Sequence, residues 1–216
     1  MTVMRRAESV GCLFIDDLLS SGTGFGKALR ARGIPGVDIR TLQCADESAL
    51  WERLQTALQE IRAGYGACSL MAAGTGCAAA LALACQLPVE RIVLADPALP
   101  VRRTLAPVGG AGNQENLRRY RTARRLAAFA RRNLALCVSD ILVVEGSAAE
   151  SGRSPWRGLG KPVNCRVGRL AIWGESAKDL YTIREIAVKE AISRFLHSGE
   201  MPKPLAEISE MCIIYG

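Results

Sequence analysis

Residues 67–97 read ACSLMAAGTGCAAALALACQLPVERIVLADP. The apolar segment Ala67–Ala73 predicts a buried strand, the small residues after it predict a sharp turn, and the alanine-rich run predicts a helix. A second apolar segment follows and ends at Asp96. A strand–helix–strand unit of this length predicts two parallel strands joined by a crossover helix. Both strands are apolar along their whole length, which is typical of a sheet covered on both faces.

Strand-like and helix-like segments alternate on both sides of this unit. Further strands are predicted at 10–15, 37–42, 141–144 and 167–173, helices at 47–62 and 181–196, and an edge strand or surface extension at 212–215. The alternation predicts an α/β fold with a mostly parallel, doubly wound sheet and helices on both faces. A chain of 216 residues fits one such domain, 1–216. Residues 100–132 begin rich in Gly and Pro and predict a short lid-like insertion.

The turn after the first strand of the 67–97 unit places one hydroxyl, that of Thr75, at the carboxyl edge of the predicted sheet. The free N–H groups and the positive dipole end of the following helix point at the same place. Ligand sites in open α/β sheets lie at this edge. Asp16 and Asp17 follow another predicted strand, so we expect their carboxylates there too. The sequence therefore predicts a ligand-binding site formed by Asp16, Asp17 and Thr75.

The segment Ala73-Gly74-Thr75-Gly76-Cys77 resembles the nucleophile elbow of the α/β-hydrolase family, with Thr in place of the usual Ser. Residues 139–146 and 167–174 are similar to the strands that deliver the catalytic acid and the histidine in that family, and the resemblance covers most of the chain. It implies an α/β-hydrolase-like fold. It also implies Thr75 as the nucleophile, with the N–H of Gly76 as an oxyanion donor.

The departures from the family pattern concern the groups that handle protons and charge. Asp16-Asp17 stands where the family usually has His-Gly, and a carboxylate there repels a developing oxyanion. Glu150 is the carboxylate nearest the expected acid position, and the expected histidine turn holds Lys178 and no histidine. The resemblance therefore implies a diverged protein without an intact Ser-His-Asp triad, which binds a small molecule or a protein partner. The alternative is an active ester, thioester or amide hydrolase that uses Thr75 with Glu150 and Lys178.

Two other reactive residues have plainer interpretations. His197 is the only histidine, and it comes roughly 20 residues past the expected turn, at the end of the last long helix, where the helix dipole favours a positive charge. Cys77 falls in the first turn of the helix after Thr75, where we expect a small core thiol.

A second alternative is a dinucleotide-binding protein. Gly74 and Gly76 follow a strand and Asp96 ends the next one, which fits glycines for close pyrophosphate approach and an acid for the ribose. Against it, two αβ units precede this turn and Pro97 follows the acid. We therefore predict no cofactor.

Composition and charge bear on two further classes, nucleic-acid-binding and membrane proteins. The chain carries 28 Lys and Arg against 21 Asp and Glu, a net charge of +7, with many arginines between 117 and 132. No aromatic platform or nucleic-acid motif accompanies them, so they predict a solvated helix face with Leu117, Leu126 and Phe129 turned inward. No apolar run approaches the roughly 20 residues of a membrane span.

The eight cysteines are scattered with no C-x-x-C pair, and there is one histidine. This pattern predicts buried free thiols, no metal site and a cytoplasmic location. The apolar residues after Pro204 need cover and make the tail a candidate homo-oligomer interface.

Overall fold

The computed structural model describes residues 9–19, 24–42, 49–98, 113–147, 164–173, 185–202 and 211–215. The strands are β1 (Val10–Ile15), β2 (Val37–Leu42), β3 (Ser69–Ala73), β4 (Arg91–Ala95), β5 (Asp140–Ser147), β6 (Val167–Trp173) and β7 (Met211–Tyr215). The helices are α1 (Gly24–Arg32), α2 (Leu50–Tyr65), α3 (Gly76–Ala84), α4 (Asn113–Asn133) and α5 (Glu185–Ser198), and a 3-10 turn spans Leu134–Leu136.

All seven strands form one sheet in the order β2-β1-β3-β4-β5-β6-β7. The first six strands of that order are parallel, and β7 pairs antiparallel with β6. The mostly parallel sheet is thus confirmed, and the tail contributes an edge strand. The chain runs outward from β1 to β2 and then crosses back to β3 on the other side of β1. The direction of winding therefore reverses between β1 and β3, and open α/β sheets bind ligands at such a point.

Both faces of the sheet are covered, because successive strand residues point to opposite sides and both sets are apolar. One face carries residues such as Leu13, Leu70 and Ile92 and packs against α2, α3 and α4. The opposite face carries Phe14 and Met71 and packs against α1 and α5. The predicted doubly wound arrangement is confirmed.

Helix α3 is buried along its whole length, which follows from its sequence GCAAALALA. It lies between the sheet and α4, whose inward residues are Tyr120, Ala123, Ala127 and Ala130. Residues 113–132 of the predicted insertion therefore belong to a helix that contacts α3, and residues 100–112 lie outside the described residues.

The predicted inward face of α4 is confirmed for two of its three residues. Leu126 and Phe129 are partly buried and pack against the core, whereas Leu117 is 36% exposed. Alanines occupy the contact with α3 because small side chains let two helices approach closely, as in ridge-and-groove packing.

Six cysteine side chains are described; all are free thiols, and all but Cys165 are buried. The prediction of buried free thiols is confirmed for five of them. In the described part of the chain, no helix has the length and apolar character needed to cross a membrane.

Candidate functional site

The carboxyl ends of β1 and β3 meet where the winding reverses. Ile15 at the end of β1 pairs with Ala72 of β3, so the residues that follow the two strands are neighbours. A Cβ atom at Gly76 would lie only 2.6 Å from the carbonyl oxygen of Ile15. Helix α3 therefore begins in direct contact with the backbone of β1, and glycine is the residue that fits there.

Thr75 is hydrogen-bonded to the loop after β1 through its hydroxyl and its backbone N–H. Its hydroxyl donates a hydrogen bond to Oδ1 of Asp17 and accepts one, of 3.0 Å, from the N–H of Leu18. Its own N–H lies 3.3 Å from the same Asp17 oxygen. With only 5% of Thr75 exposed, the hydroxyl is engaged inside the protein both as donor and as acceptor.

The two carboxylates organise the loop that follows β1. Asp17 Oδ1 also accepts the N–H of Leu19 at 3.2 Å, and Asp16 Oδ1 accepts the N–H of Asp17 at 2.9 Å. Asp16 is buried against α1, where a Cβ atom at Gly26 would lie 2.7 Å from the Asp16 carboxyl carbon. Side-chain oxygens that bond nearby N–H groups in this way stabilise turns. The structure thus brings Asp16, Asp17 and Thr75 together, as the sequence predicts.

The residue of the turn with a left-handed backbone is Gly74, not Thr75. Gly74 has φ of +57°, whereas Thr75 has φ of −72° and ψ of −15°, ordinary helical values. The N–H of Gly74 donates to the carbonyl of Ala95 in β4 at 3.0 Å, which fixes the turn to the neighbouring strand. In a nucleophile elbow the nucleophile sits on the strained residue of the strand-to-helix turn. Here that residue has no side chain, and the hydroxyl lies one position later.

Two carboxylates at this edge act on the thiol of Cys77. Burial is the main reason that the pKa of the Cys77 thiol is raised well above its usual value, and the charges of Asp96 and Asp17 raise it further. Cys77 is fully buried, so the expectation of a core thiol is confirmed. Among the described residues, no group of three or more His, Cys, Asp or Glu side chains could hold a metal ion.

The glycines of the proposed dinucleotide fingerprint have local structural roles. Gly76 fits against the backbone of β1, and Gly74 adopts a left-handed conformation in the turn. The N–H of Thr75, which a pyrophosphate would use, faces the carboxylate of Asp17 instead. The described residues therefore lend no support to the dinucleotide-binding alternative.

The two predicted catalytic helpers, Glu150 and Lys178, lie outside the described part of the chain. His197 is exposed in the last turn of α5, and its Nδ1 lies 2.8 Å from the carbonyl oxygen of Ser193. The carbonyl of Leu196 accepts a hydrogen bond of 2.6 Å from Arg91, the first residue of β4. His197 therefore lies at the amino edge of the sheet, opposite Thr75, and the helix-end interpretation is confirmed.

Sequence reasoning missed three contributors to this site. The N–H groups of Leu18 and Leu19 carry no side-chain signal, so their role depends on the loop conformation. Gly26 does carry one, because a glycine inside a helical segment often marks a close approach.

No family model matches the chain, and no curated protein sequence matches it. Solved structures do match. A structure of the metagenome-derived lipolytic enzymes LipS and LipT superposes with a TM-score of 0.64 at 12% identity, covering 88% of this chain and 94% of that chain. Est1E from Butyrivibrio proteoclasticus gives 0.59 at 13% identity, covering 91% and 90%. An α/β-hydrolase fold protein from Nakamurella multipartita gives 0.56 at 13% identity, covering 89% and 94%.

This chain adopts the α/β-hydrolase fold. The match covers most of each chain, so the fold is shared as a whole rather than as a fragment. At such low identities the likeness concerns the α/β-hydrolase fold alone, and the activity has to be argued from the residues at the sheet edge.

Proposed function

We propose that this protein is a diverged, non-catalytic α/β-hydrolase-fold protein that binds a small molecule or a protein partner at the edge formed by Asp16, Asp17 and Thr75. The observation that carries the proposal is the contact between Thr75 and Asp17. The Asp17 carboxylate accepts a hydrogen bond from the Thr75 hydroxyl and lies close to the Thr75 N–H.

The first supporting argument concerns the nucleophile. A hydroxyl becomes nucleophilic when a neighbouring base removes its proton as it attacks. The Thr75 hydroxyl is buried and already bonded to Asp17 and to the N–H of Leu18. An aspartate is a much weaker base than the imidazole that takes the proton in a serine triad. Attack would therefore require Thr75 to leave two hydrogen bonds with little help from its partner.

The second supporting argument concerns the oxyanion. Acyl transfer develops a negative charge beside the nucleophile, and active sites stabilise it with hydrogen-bond donors. At this turn the carboxylate of Asp17 faces the Thr75 N–H. A like charge about 4 Å away costs roughly 4 kcal/mol at an effective dielectric constant of about 20. That energy corresponds to about a thousandfold in rate, so the edge disfavours the transition state of ester hydrolysis.

The carboxylates at the edge also indicate what it would bind. Asp17 and Asp96 are partly exposed, and both act on the same buried thiol, that of Cys77. Carboxylates favour ligand groups that carry positive charge or donate hydrogen bonds, and they disfavour carboxylates and phosphates. We therefore propose a cationic or neutral ligand group, from a small molecule or from a protein partner.

One observation favours a second function, hydrolysis of an ester, thioester or amide by Thr75. The hydroxyl does have a titratable side chain within hydrogen-bond reach, because it donates to Asp17. In that function Asp17, rather than Glu150 or Lys178, is the base that takes the proton of the Thr75 hydroxyl. The N–H of Gly76 donates a hydrogen bond to the oxyanion.

Ester turnover separates the two functions. The wild type and Thr75→Val are incubated with short-chain p-nitrophenyl esters, with circular dichroism to confirm that both are folded. We expect rates at the buffer background for both proteins. Saturable turnover by the wild type that falls by a hundredfold or more in folded Thr75→Val would establish the second function instead.

Binding is tested by nuclear magnetic resonance with two matched probes, an alkylammonium and an alkylcarboxylate of equal chain length. We expect the ammonium probe to shift the backbone amide signals of residues 16–19 and 74–77, and the carboxylate probe to leave them unchanged. Stronger shifts at these residues with the carboxylate would contradict the proposed ligand class.

A further inference from the structure

Two cysteines are held side by side at the amino edge of the sheet, away from the site described above. Cys137 follows the 3-10 turn Leu134–Leu136, just before β5, and Cys165 lies just before β6. Strands β5 and β6 are parallel neighbours with Ile141 opposite Val167, so the segments that precede them are adjacent. Continued toward the amino ends of the strands, this register places Cys165 beside Ser139, two residues after Cys137.

Hydrogen bonds on both sides of Cys165 fix this arrangement. The side-chain amide of Asn164 donates to the carbonyl of Ala135 at 2.9 Å. On the other side, Arg166 Nε donates to Asp140 Oδ1 at 3.0 Å, and the N–H of Ile141 donates to the carbonyl of Arg166 at 2.8 Å. The segment that carries Cys165 is thus held against the segment that carries Cys137 at both ends.

The two thiols influence each other's pKa, and they differ in accessibility. Cys137 is fully buried, whereas Cys165 is half-buried and can be reached from solvent. The hydrogen bond donated by Cys165 lowers the pKa of Cys137, and the N–H of Ser139 lowers it further. The Ser139 hydroxyl proton is committed to the carbonyl of Val89 at 2.7 Å, which leaves the N–H as its donor to the sulfur. The pair therefore loses one proton more readily than an ordinary thiol does.

A second pair of neighbouring cysteines in the same sheet provides a contrast. Cys12 lies in β1, and Cys68 lies just before β3. Burial raises the pKa of both thiols, that of Cys68 to about 11. Because the thiolate is the reactive form, this pair stays protonated and unreactive at neutral pH.

We propose that Cys137 and Cys165 are an oxidisable dithiol that closes to an intramolecular disulfide by exchange with a low-molecular-weight disulfide. Transient disulfides of this kind occur in cytosolic proteins as redox-sensing pairs. Closure joins the 3-10 turn covalently to the start of β6. It constrains the unfolded chain and so stabilises the fold.

The exchange proceeds in two steps. The pair starts with Cys137 deprotonated and Cys165 as the thiol. The proton of Cys165 passes to the Cys137 thiolate, and the resulting Cys165 thiolate, which is accessible, attacks the small disulfide, forming a mixed disulfide and expelling one thiolate. That thiolate takes the proton of Cys137, whose sulfur then attacks the sulfur of Cys165 and expels the second thiolate. The two cysteines are oxidised by two electrons, and one small disulfide is reduced to two thiol equivalents.

The test uses the reduced full-length chain and oxidised glutathione, followed by denaturation in N-ethylmaleimide and mass spectrometry without reduction. We expect a product lighter by two hydrogens, with the peptides of Cys137 and Cys165 cross-linked. We also expect the melting temperature to rise by roughly 5–15 °C. In Cys137→Ser the reaction stops with one glutathione on Cys165, and in Cys165→Ser the buried Cys137 gains none. Cys68→Ser is the matched control and behaves like the wild type.

Two results would overturn the proposal. One is N-ethylmaleimide on both Cys137 and Cys165 of the glutathione-treated wild type, which means that no disulfide forms. The other is a cross-link from Cys165 to Cys85, a third cysteine near the pair at the end of α3. Both results are measured on the wild type, so they test the proposal even if a variant folds poorly.

Discussion

Positions 74 and 76 require glycine for different physical reasons, and together Gly74 and Gly76 place Thr75 against Asp17. Gly74 has φ of +57°, a conformation that a side chain makes unfavourable by roughly 1–2 kcal/mol. Gly76 has no such strain, but a Cβ atom there would meet the backbone of β1. Both residues allow α3 to begin close to β1.

The contact of Gly76 with β1 gives a prediction for stability. Gly76→Ala puts a methyl group against backbone carbonyls that cannot rotate away, so we expect the free energy of unfolding to fall by about 2–3 kcal/mol. Gly64→Ala in α2 is the matched control, because nothing lies within 4 Å of the added methyl group. Alanine should stabilise that helix by about 0.5–1 kcal/mol. Urea unfolding measures both, and equal stability of Gly76→Ala and the wild type would contradict the close approach.

Among the elements, the pair α3 and α4 shows how small residues set a helix interface. The inward face of α4 is largely alanine, and α3 is buried throughout. Hydrophobicity alone favours the larger Leu126 and Phe129 for the inward face, and both do pack against the core while staying partly exposed. The fully buried positions are Ala123, Ala127 and Ala130. The sequence pattern reports which residues are apolar, but it does not report how closely two helices pack.

This interface predicts a difference between two adjacent alanines of α4. Ala127→Leu inserts three carbons at a fully buried position of α4 and should lower the free energy of unfolding by about 1–3 kcal/mol. Ala128→Leu, one residue later and partly exposed, should change it by less than about 0.5 kcal/mol. Chemical denaturation of both variants makes the comparison. Equal effects would mean that position 127 is not closely packed.

The starts of β5 and β6 are joined by an ion pair whose effect depends on pH. A hydrogen bond from Arg166 is the main reason that the pKa of Asp140 lies below its usual value in the folded protein. A carboxyl group with a lowered folded pKa contributes stability above its unfolded pKa of about 3.9. That contribution is lost as the pH falls through the lower folded pKa.

Asp140→Asn should therefore be less stable than the wild type at pH 7, by up to about 1 kcal/mol because the pair is largely exposed. The difference should narrow below pH 4. Glu190→Gln, which removes an exposed ion pair within α5, serves as the control. Urea unfolding at pH 7 and pH 3 measures the change, and a deficit for Asp140→Asn that is the same at both pH values would contradict the ion pair.

For the molecule as a whole, the sequence predicts the sheet well because its signals are local. Apolar runs such as Val10–Ile15 and Val167–Trp173 coincide with strands. The sequence predicts that Asp16, Asp17 and Thr75 lie close together, because they follow parallel strands that end at one edge. It does not predict the hydrogen bonds between them, because these depend on the conformation of the loop after β1. Spacing alone also could not show that the residue of the turn with a left-handed backbone is Gly74, since several small residues adjoin it.

The hydroxyl of Thr75 is committed to Asp17 as a structural contact. A double-mutant cycle of Thr75→Val and Asp17→Ala, followed by urea unfolding, measures that contact directly. We predict a coupling free energy of about 1–2 kcal/mol, as for a partly buried hydrogen bond to a charged group. A coupling below about 0.3 kcal/mol, with Thr75→Val as stable as the wild type, would show that Asp17 does not hold the hydroxyl and that it is free for chemistry.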